Sequence, residues 1–265
     1  MLFGELHRLK SPAKRVLLFP KAWAVEKKSS KGEAFDPFLD TTRRLLKLAA
    51  RRYRVELRPI VPTSEDANEE EPSSYSLTSV WSLSDYDRVL ILQTPGMILD
   101  ATLLDAILAY APASSLATLS TESTPGVNET DLILAMPDET SYKTLASIPL
   151  ATNILPALKQ NLATLVLDAA ADGTHLVTSI STLHTPREEE IFDATAWLSS
   201  TAYVRFSDPK LPGPEYDVPW AQRIKARPRN KDADWVWTKL YSGFSQRRMD
   251  VCGLDLQPIY DWSTV

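Results

Sequence analysis

The chain has 265 residues, of which 44% are hydrophobic and 24% charged, with a formal net charge of −5. This composition is typical of a soluble globular domain and excludes a wholly disordered or fibrous chain. The mild acidity, with basic residues scattered along the chain, excludes a general nucleic-acid-binding surface, and the single cysteine, Cys252, excludes an intrachain disulfide and a cysteine-based zinc site.

The first half of the chain alternates helical and strand patterns. Its clearest strand is Val89–Leu92, four aliphatic residues after a polar lead-in, which we expect to be central in a sheet and to end in a turn over 93–96. The acidic segment 62–76 predicts a surface loop. The full prediction is helices over 1–9, 36–53 and 99–110, and strands over 15–20, 53–60, 85–92, 115–119 and 131–136.

The second half continues the alternation. Helices are predicted over 138–148, 154–171 and 185–198, and strands over 174–180 and 203–207. A proline-rich loop over 208–219 leads to a final amphipathic helix over 232–248, with Trp235, Leu240 and Phe244 on its buried side. Such alternation, with several continuously apolar strands, predicts one α/β domain over 1–265, built on a mixed, mostly parallel sheet flanked by helices.

Targeting signals and generic catalytic motifs are missing from the sequence. Glu5, His7, Arg8 and Lys10 interrupt any signal-peptide core, and no apolar run approaches the roughly 20 residues that span a bilayer, so we expect a soluble chain. There is no GxxxxGK[ST], GxGxxG, HExxH or GxSxG motif. A Ser/His/Asp triad stays open, because its members can lie far apart in sequence.

The turn at Gln93–Gly96 is the most informative segment, because open α/β sheets bind ligands at the carboxyl ends of their strands. The stretch 85–99 resembles a strand of fungal family 8-type glycosyltransferases that is followed by Leu-Asp-Ser-Asp-Gly and an aliphatic run. The resemblance implies a GT-A-like fold. In that family the two aspartates bind Mn²⁺ or Mg²⁺, which neutralises the diphosphate of a nucleotide-sugar.

Four other stretches resemble the family in the same order along the chain: 1–23, 45–60, 203–212 (Tyr-Val-Arg-Phe-Ser-Asp-Pro-Lys-Leu-Pro) and 235–256. The middle, 116–198, matches only in outline. The resemblance implies a role in moving a hexose or N-acetylhexosamine from a nucleotide-sugar, such as a UDP-sugar, to an acceptor hydroxyl. Members of the family are often anchored in Golgi or other secretory membranes, whereas this sequence shows no anchor.

This sequence departs from the family at the metal ligands. Gln93 and Pro95 replace the two aspartates, and Arg205 falls at the histidine that supplies the third ligand. Gly213-Pro214-Glu215 stands where the family has Lys-Pro-Trp. The resemblance implies that Met1 lies in the family's first helix, so we expect the family's opening strand to be missing from this sequence. We therefore expect no metal cofactor and weak or absent transfer activity.

Six positions would still line the cleft of such an enzyme. Asp208 is the remaining acid for orienting a hydroxyl, and the expected cofactor-binding residues are Gln93, Thr94, Gly96, Arg205 and Ser207.

Several alternatives stay open at this point. Arg205 is either a metal-free phosphate clamp or the partner of a nearby carboxylate such as Asp208. The protein is either a transferase or a non-catalytic binding or scaffolding protein, and a second copy is a candidate to cover the edge left by the missing strand. His175 and His184 flank a predicted strand without carboxylates at metal-ligand spacing, so we expect structural roles for both.

Overall fold

The computed structural model describes residues 1–24, 37–62, 76–120, 124–146, 154–171, 173–208, 210–211, 213–214 and 218–252. Helices and strands alternate along it, so the chain is a mixed α/β protein. The helices are α1 (Leu2–Arg8), α2 (Lys21–Ala24), α3 (Pro37–Tyr53), α4 (Ala101–Tyr110), α5 (Glu139–Ala146), α6 (Leu155–Asn161), α7 (Ala194–Ser200), α8 (Trp220–Ala226) and α9 (Lys231–Cys252), with 3₁₀ turns at Leu77–Ser82 and Ile180–His184. The strands are β1 (Arg15–Pro20), β2 (Val55–Ile60), β3 (Val89–Leu92), β4 (Gly96–Ile98), β5 (Leu116–Leu119), β6 (Leu132–Ala135), β7 (Thr164–Leu167), β8 (Ala170–Ala171), β9 (Thr174–Ser179) and β10 (Thr201–Arg205).

The strands of the described ranges form three sheets, with orders β1-β2, β4-β10-β9-β8 and β3-β6-β5-β7. Three pairings are parallel (β1 with β2, β9 with β10, β5 with β7) and four are antiparallel. The prediction of a mostly parallel sheet is therefore wrong for this part of the chain. For β5 and β6 the reason is local: the described residues between them form turns instead of a crossover helix, so the chain returns in the opposite direction.

The strand β3, predicted to be central, lies at the edge of its sheet. It pairs only with β6 among the described strands, and its four side chains are half-buried, whereas β5 and β6 are buried throughout. Strand β1 likewise pairs only with β2, and most of its side chains are half-buried. That an opening strand is missing, and that a second copy of the chain covers this edge, remain predictions.

Helix α9 packs against the second sheet and contributes one side of its hydrophobic core. Its buried face is formed by Ala233, Val236, Trp237, Leu240 and Phe244, whereas the indole of Trp235, predicted to be buried, is 53% exposed. Trp237 takes the buried position because it lies three residues before Leu240 on the same face. Among the described helices, α9 included, none combines the length and the apolar character needed to cross a membrane.

Two predicted helices are wrong in extent. The helix predicted over 154–171 ends at Asn161 and is followed by β7 and β8. Leu158, Leu162 and Leu165 keep a helical spacing, but the backbone of Leu165 pairs in parallel with β5. The helix predicted from Thr185 begins at Ala194 instead, where the carboxylate of Asp193 accepts a hydrogen bond from the Ala196 N–H. The acidic segment over 63–75 and Glu215 lie outside the described residues.

Candidate functional site

The turn after β3 is held by strands β6 and β10. The Gln93 N–H donates to the Asp131 carbonyl at 3.0 Å, just before β6, and the Phe206 N–H donates to the Pro95 carbonyl at 3.2 Å. The turn leads directly into β4, where Gly96 lies opposite Arg205 in the antiparallel ladder with β10. Gln93, Thr94, Gly96 and Arg205 are therefore brought together at this turn.

The Arg205 side chain hydrogen-bonds to this turn and pairs with a carboxylate that no sequence motif indicates. Its Nε donates to Asp131 Oδ1 at 2.8 Å, and its Nη1 donates to the carbonyls of Gln93 (3.1 Å) and Pro95. The side chains of Arg205 and Asp131 are only 10% and 1% exposed. The suggested pairing with Asp208 is therefore wrong. Asp131 lies 74 residues away in sequence, and no local pattern links the two.

Position 96 requires glycine because the Tyr203 side chain packs directly against its backbone. A Cβ on Gly96 would lie 1.9 Å from Tyr203 Oη and 2.2 Å from Cζ. The Tyr203 ring is fully buried, and its hydroxyl donates to the Gln93 carbonyl. Burial raises the pKa of this hydroxyl well above its usual range. Gly96 and Tyr203 thus fix the backbone of the turn, while the side chains of Gln93 and Thr94 are exposed.

Asp208 is enclosed by donors of the protein itself. Its Oδ2 accepts from Trp237 Nε1 at 2.9 Å and lies 3.0 Å from His184 Nε2, while its Oδ1 accepts from the Lys210 N–H at 2.9 Å. The side chain is 1% exposed. His184 thus has a carboxylate partner that lies 24 residues away in sequence, which no local ligand spacing indicates. Asp208 therefore anchors α9 and the 3₁₀ turn at Ile180–His184 to the segment after β10.

Replacing Asp208 by asparagine is expected to lower the free energy of unfolding by about 1–2 kcal/mol, because an amide cannot accept from all three donors. Urea denaturation followed by tryptophan fluorescence measures this loss, since Trp237 reports directly on the substituted position. Asp138→Asn is the control. Asp138 lies just before α5 and accepts from the backbone N–H groups of Thr140 and Ser141 and from the Ser141 hydroxyl. A variant with full stability but lost turnover of a sugar nucleotide would instead support the predicted role of Asp208 in orienting a hydroxyl.

Ser207 belongs to a cluster of three serines. The Ser207 Oγ lies 2.6 Å from Ser179 Oγ and donates to the Gly126 carbonyl at 3.3 Å. The Ser179 Oγ lies 2.6 Å from Ser181 Oγ. In the described part of the chain, His184 hydrogen-bonds with Asp208 and Lys210 and not with these serines. The Ser/His/Asp triad left open by the sequence is therefore not assembled among these residues.

A cavity of about 460 Å³ lies between α8 and α9. Trp237, the donor to Asp208, forms part of its wall, together with Trp220, Tyr241, Arg223 and Arg227. None of the six candidate residues lines it. Over the described ranges, no group of three or more His, Cys, Asp or Glu side chains is arranged to hold a metal ion.

Comparison with known proteins gives one informative similarity. No family model matches the chain. The chain is 25% identical over 282 aligned positions to Glucose N-acetyltransferase 1 of Gibberella zeae, an alignment that covers 95% of the chain and 58% of the relative. The chain thus spans less than two thirds of that protein. It is a distant relative of a protein named for a transferase activity, which agrees with the coarser expectation of a transferase-like protein.

Proposed function

We propose that this chain is a GT-A-like domain of glycosyltransferase origin in which metal-dependent transfer of a hexose or N-acetylhexosamine from a nucleotide-sugar is weak or absent. The ancestry is supported by the order of the family 8-type stretches and by the distant relative Glucose N-acetyltransferase 1. The loss of metal-dependent chemistry is supported by the environment of Arg205.

The observation that carries the proposal is the cross-link made by Arg205. The three positions of the family's metal ligands are here Gln93, Pro95 and Arg205, and the guanidinium binds the backbone carbonyls of the other two. The nearby carboxylate of Asp131 is already neutralised by the same guanidinium. A divalent cation at this point would meet two neutral carbonyls and a fixed positive charge, so the site repels the ion that the transfer reaction requires.

A metal-free phosphate clamp is the first alternative, and the same contacts weigh against it. Arg205 Nε and Nη1 already donate to protein oxygens, and the guanidinium is nearly buried. A diphosphate that used these donors would have to displace Asp131 or the carbonyls of the turn. Displacement would leave the Asp131 carboxylate buried without its charge partner, which is costly.

Non-catalytic recognition of a saccharide is the second alternative, and the cavity between α8 and α9 favours it. The Trp220 indole, 74% exposed, offers a flat apolar surface for a sugar ring. The side chains of Ser242, Ser245 and Gln246 in the same cavity supply hydrogen-bonding groups. A volume of about 460 Å³ falls within the usual range of ligand pockets.

The proposal is tested by titrating the full chain with UDP and UDP-N-acetylglucosamine, with and without Mn²⁺, in a calorimeter, and by measuring UDP release. We expect Mn²⁺ to leave both affinities unchanged and UDP release to stay at the protein-free rate. Tighter binding with Mn²⁺, or UDP release that Mn²⁺ raises many-fold above that rate, would contradict the proposal.

Variants separate the two alternatives. Mn²⁺-independent binding that is lost in Arg205→Lys, while the circular dichroism spectrum is retained, would support the phosphate clamp, because lysine keeps the charge but not the fork of donors. Mn²⁺-independent binding that is lost in Trp220→Ala and kept in Arg205→Lys would support saccharide recognition. Trp235→Ala is the matched control, because Trp235 is also exposed and lies outside the cavity.

A further inference from the structure

A second cavity of about 460 Å³ lies at the amino end of β1, next to the carboxyl ends of α1 and α3. Five of its lining residues carry basic side chains: His7, Lys10, Lys14, Arg15 and Arg54. No Asp or Glu is among the described residues that line it. The cavity shares no residue with the turn at 93–96 or with Arg205, Ser207 and Asp208.

The backbone conformation at two of these residues is unusual. Lys10 and Arg54 have φ angles of 58° and 55°, and they are the non-glycine residues with positive φ in the described part of the chain. Each follows the end of a helix: the Ser11 N–H donates to the Leu6 carbonyl beyond α1, and Arg54 follows the last residue of α3. Helices commonly end in this left-handed conformation, but usually with glycine, which adopts it without steric cost. What the chain gains from a non-glycine residue at both positions is a long cationic side chain beside the cavity.

Arg15 adds a cation whose neighbours do not neutralise it fully. Its Nη1 donates to the Tyr53 carbonyl at 2.8 Å, and its Nη2 donates to the carbonyls of Ser11 (3.1 Å) and Leu6 (3.3 Å). Its Nε is buried without a hydrogen-bond partner among the described residues. Burial and then the charge of Arg54 lower the pKa of Arg15, and the carboxylate of Asp105 opposes this only in part. Like charges are thus crowded around an open concave surface.

We propose that this cavity is a binding site for a phosphate-bearing anion. Phosphate oxygens suit crowded Lys and Arg donors, and the volume exceeds that of a single phosphate group, so a phosphate ester or a diphosphate is the class of ligand. The site is independent of the proposed function, because it requires neither Mn²⁺ nor any residue of the turn after β3.

The competing explanation is that these cations serve only the carbonyl ends of α1 and α3, where positive charge is favourable. The glycine variants Lys10→Gly and Arg54→Gly distinguish the two explanations. Glycine relieves the backbone at both positions, so we expect the melting temperature to stay the same or rise while anion binding is lost. A merely structural role predicts a lower melting temperature and unchanged binding.

The test uses the full chain and pyrophosphate, titrated in a calorimeter at fixed ionic strength without divalent cations. We expect measurable binding by the unaltered protein and a dissociation constant raised at least about tenfold in Arg54→Gly, which corresponds to about 1.4 kcal/mol. Lys225→Gln, which removes an exposed charge on α8 outside the cavity, is the matched control and should bind as the unaltered protein does.

A second arm identifies the source of the phosphate. Phosphatidylcholine vesicles with and without phosphatidylinositol 4-phosphate are sedimented with the protein. Co-sedimentation that requires the phosphoinositide and is lost in Arg54→Gly assigns a lipid headgroup, and pyrophosphate binding without co-sedimentation assigns a soluble phosphate ester. Absence of binding in both arms, unchanged binding in both glycine variants, or an equal loss in Lys225→Gln would overturn the proposal.

Discussion

Replacing Arg205 by methionine is expected to lower the free energy of unfolding by about 3–5 kcal/mol. The substitution keeps an unbranched side chain but removes the guanidinium, which leaves the Asp131 carboxylate buried without its charge partner. The carbonyls of Gln93 and Pro95 lose a donor at the same time. Urea denaturation, read by circular dichroism, measures the loss as a lower midpoint at an unchanged slope.

Arg58→Met is the control for this prediction, because Arg58 pairs with Glu56 and Asp85 at the surface, where water screens the charges. We expect it to change stability little. Asp131→Asn, alone and combined with Arg205→Met, completes a double-mutant cycle. The double variant should lose less than the sum of the single losses, because each single change strands the other partner. Strictly additive losses, or a small loss in Arg205→Met, would show that the pair does not hold the turn.

Replacing Gly96 by alanine is expected to lower the free energy of unfolding by about 2–4 kcal/mol, from overpacking and the loss of a buried hydrogen bond. The added Cβ would lie within 2.2 Å of two Tyr203 atoms. The ring cannot swing aside freely, since it is fully buried and its hydroxyl is bound to the Gln93 carbonyl. Thermal unfolding by calorimetry measures the effect.

Gly243→Ala is the matched control. Gly243 lies within helix α9, and a Cβ there would lie 3.3 Å from the flexible end of the Met97 side chain. There we expect no loss and a gain of up to about 1 kcal/mol from helix propensity. A Gly96→Ala variant as stable as Gly243→Ala would mean that Tyr203 moves away from the turn at little cost. The close packing of Tyr203 could then no longer explain why position 96 is glycine.

Local patterns predicted most elements because single stretches of sequence determine them. The apolar run at Arg15–Pro20 and the amphipathic pattern ending at Tyr53 predicted β1 and α3 almost to the residue. Between Asn161 and Thr164 the chain changes from helix to strand without a proline or glycine. The helical spacing of the leucines continues into β7, so the pattern predicts helix where the structure has a strand. Pairing with β5 decides that case, and pairing partners are not visible in one sequence.

The contacts of the candidate site depend on strands that are far apart in sequence. Gly96 lies opposite Arg205 across β4 and β10, and Asp131, the partner of Arg205, carries no sequence signal. The partners of Asp208 were missed because His184 and Trp237 reach it from two separate elements. Position along a strand could be predicted, but the side chains that meet across strands could not.

Electron paramagnetic resonance of Mn²⁺ tests most directly whether the strand end at residues 93–96 can gather a cation. The amplitude of the free-ion signal is followed as protein is added to Mn²⁺, with and without UDP. We expect the amplitude to stay equal to that of matched solutions without protein. Loss of the signal in proportion to protein, at one ion per chain, would contradict the view that Arg205 has taken the place of the metal.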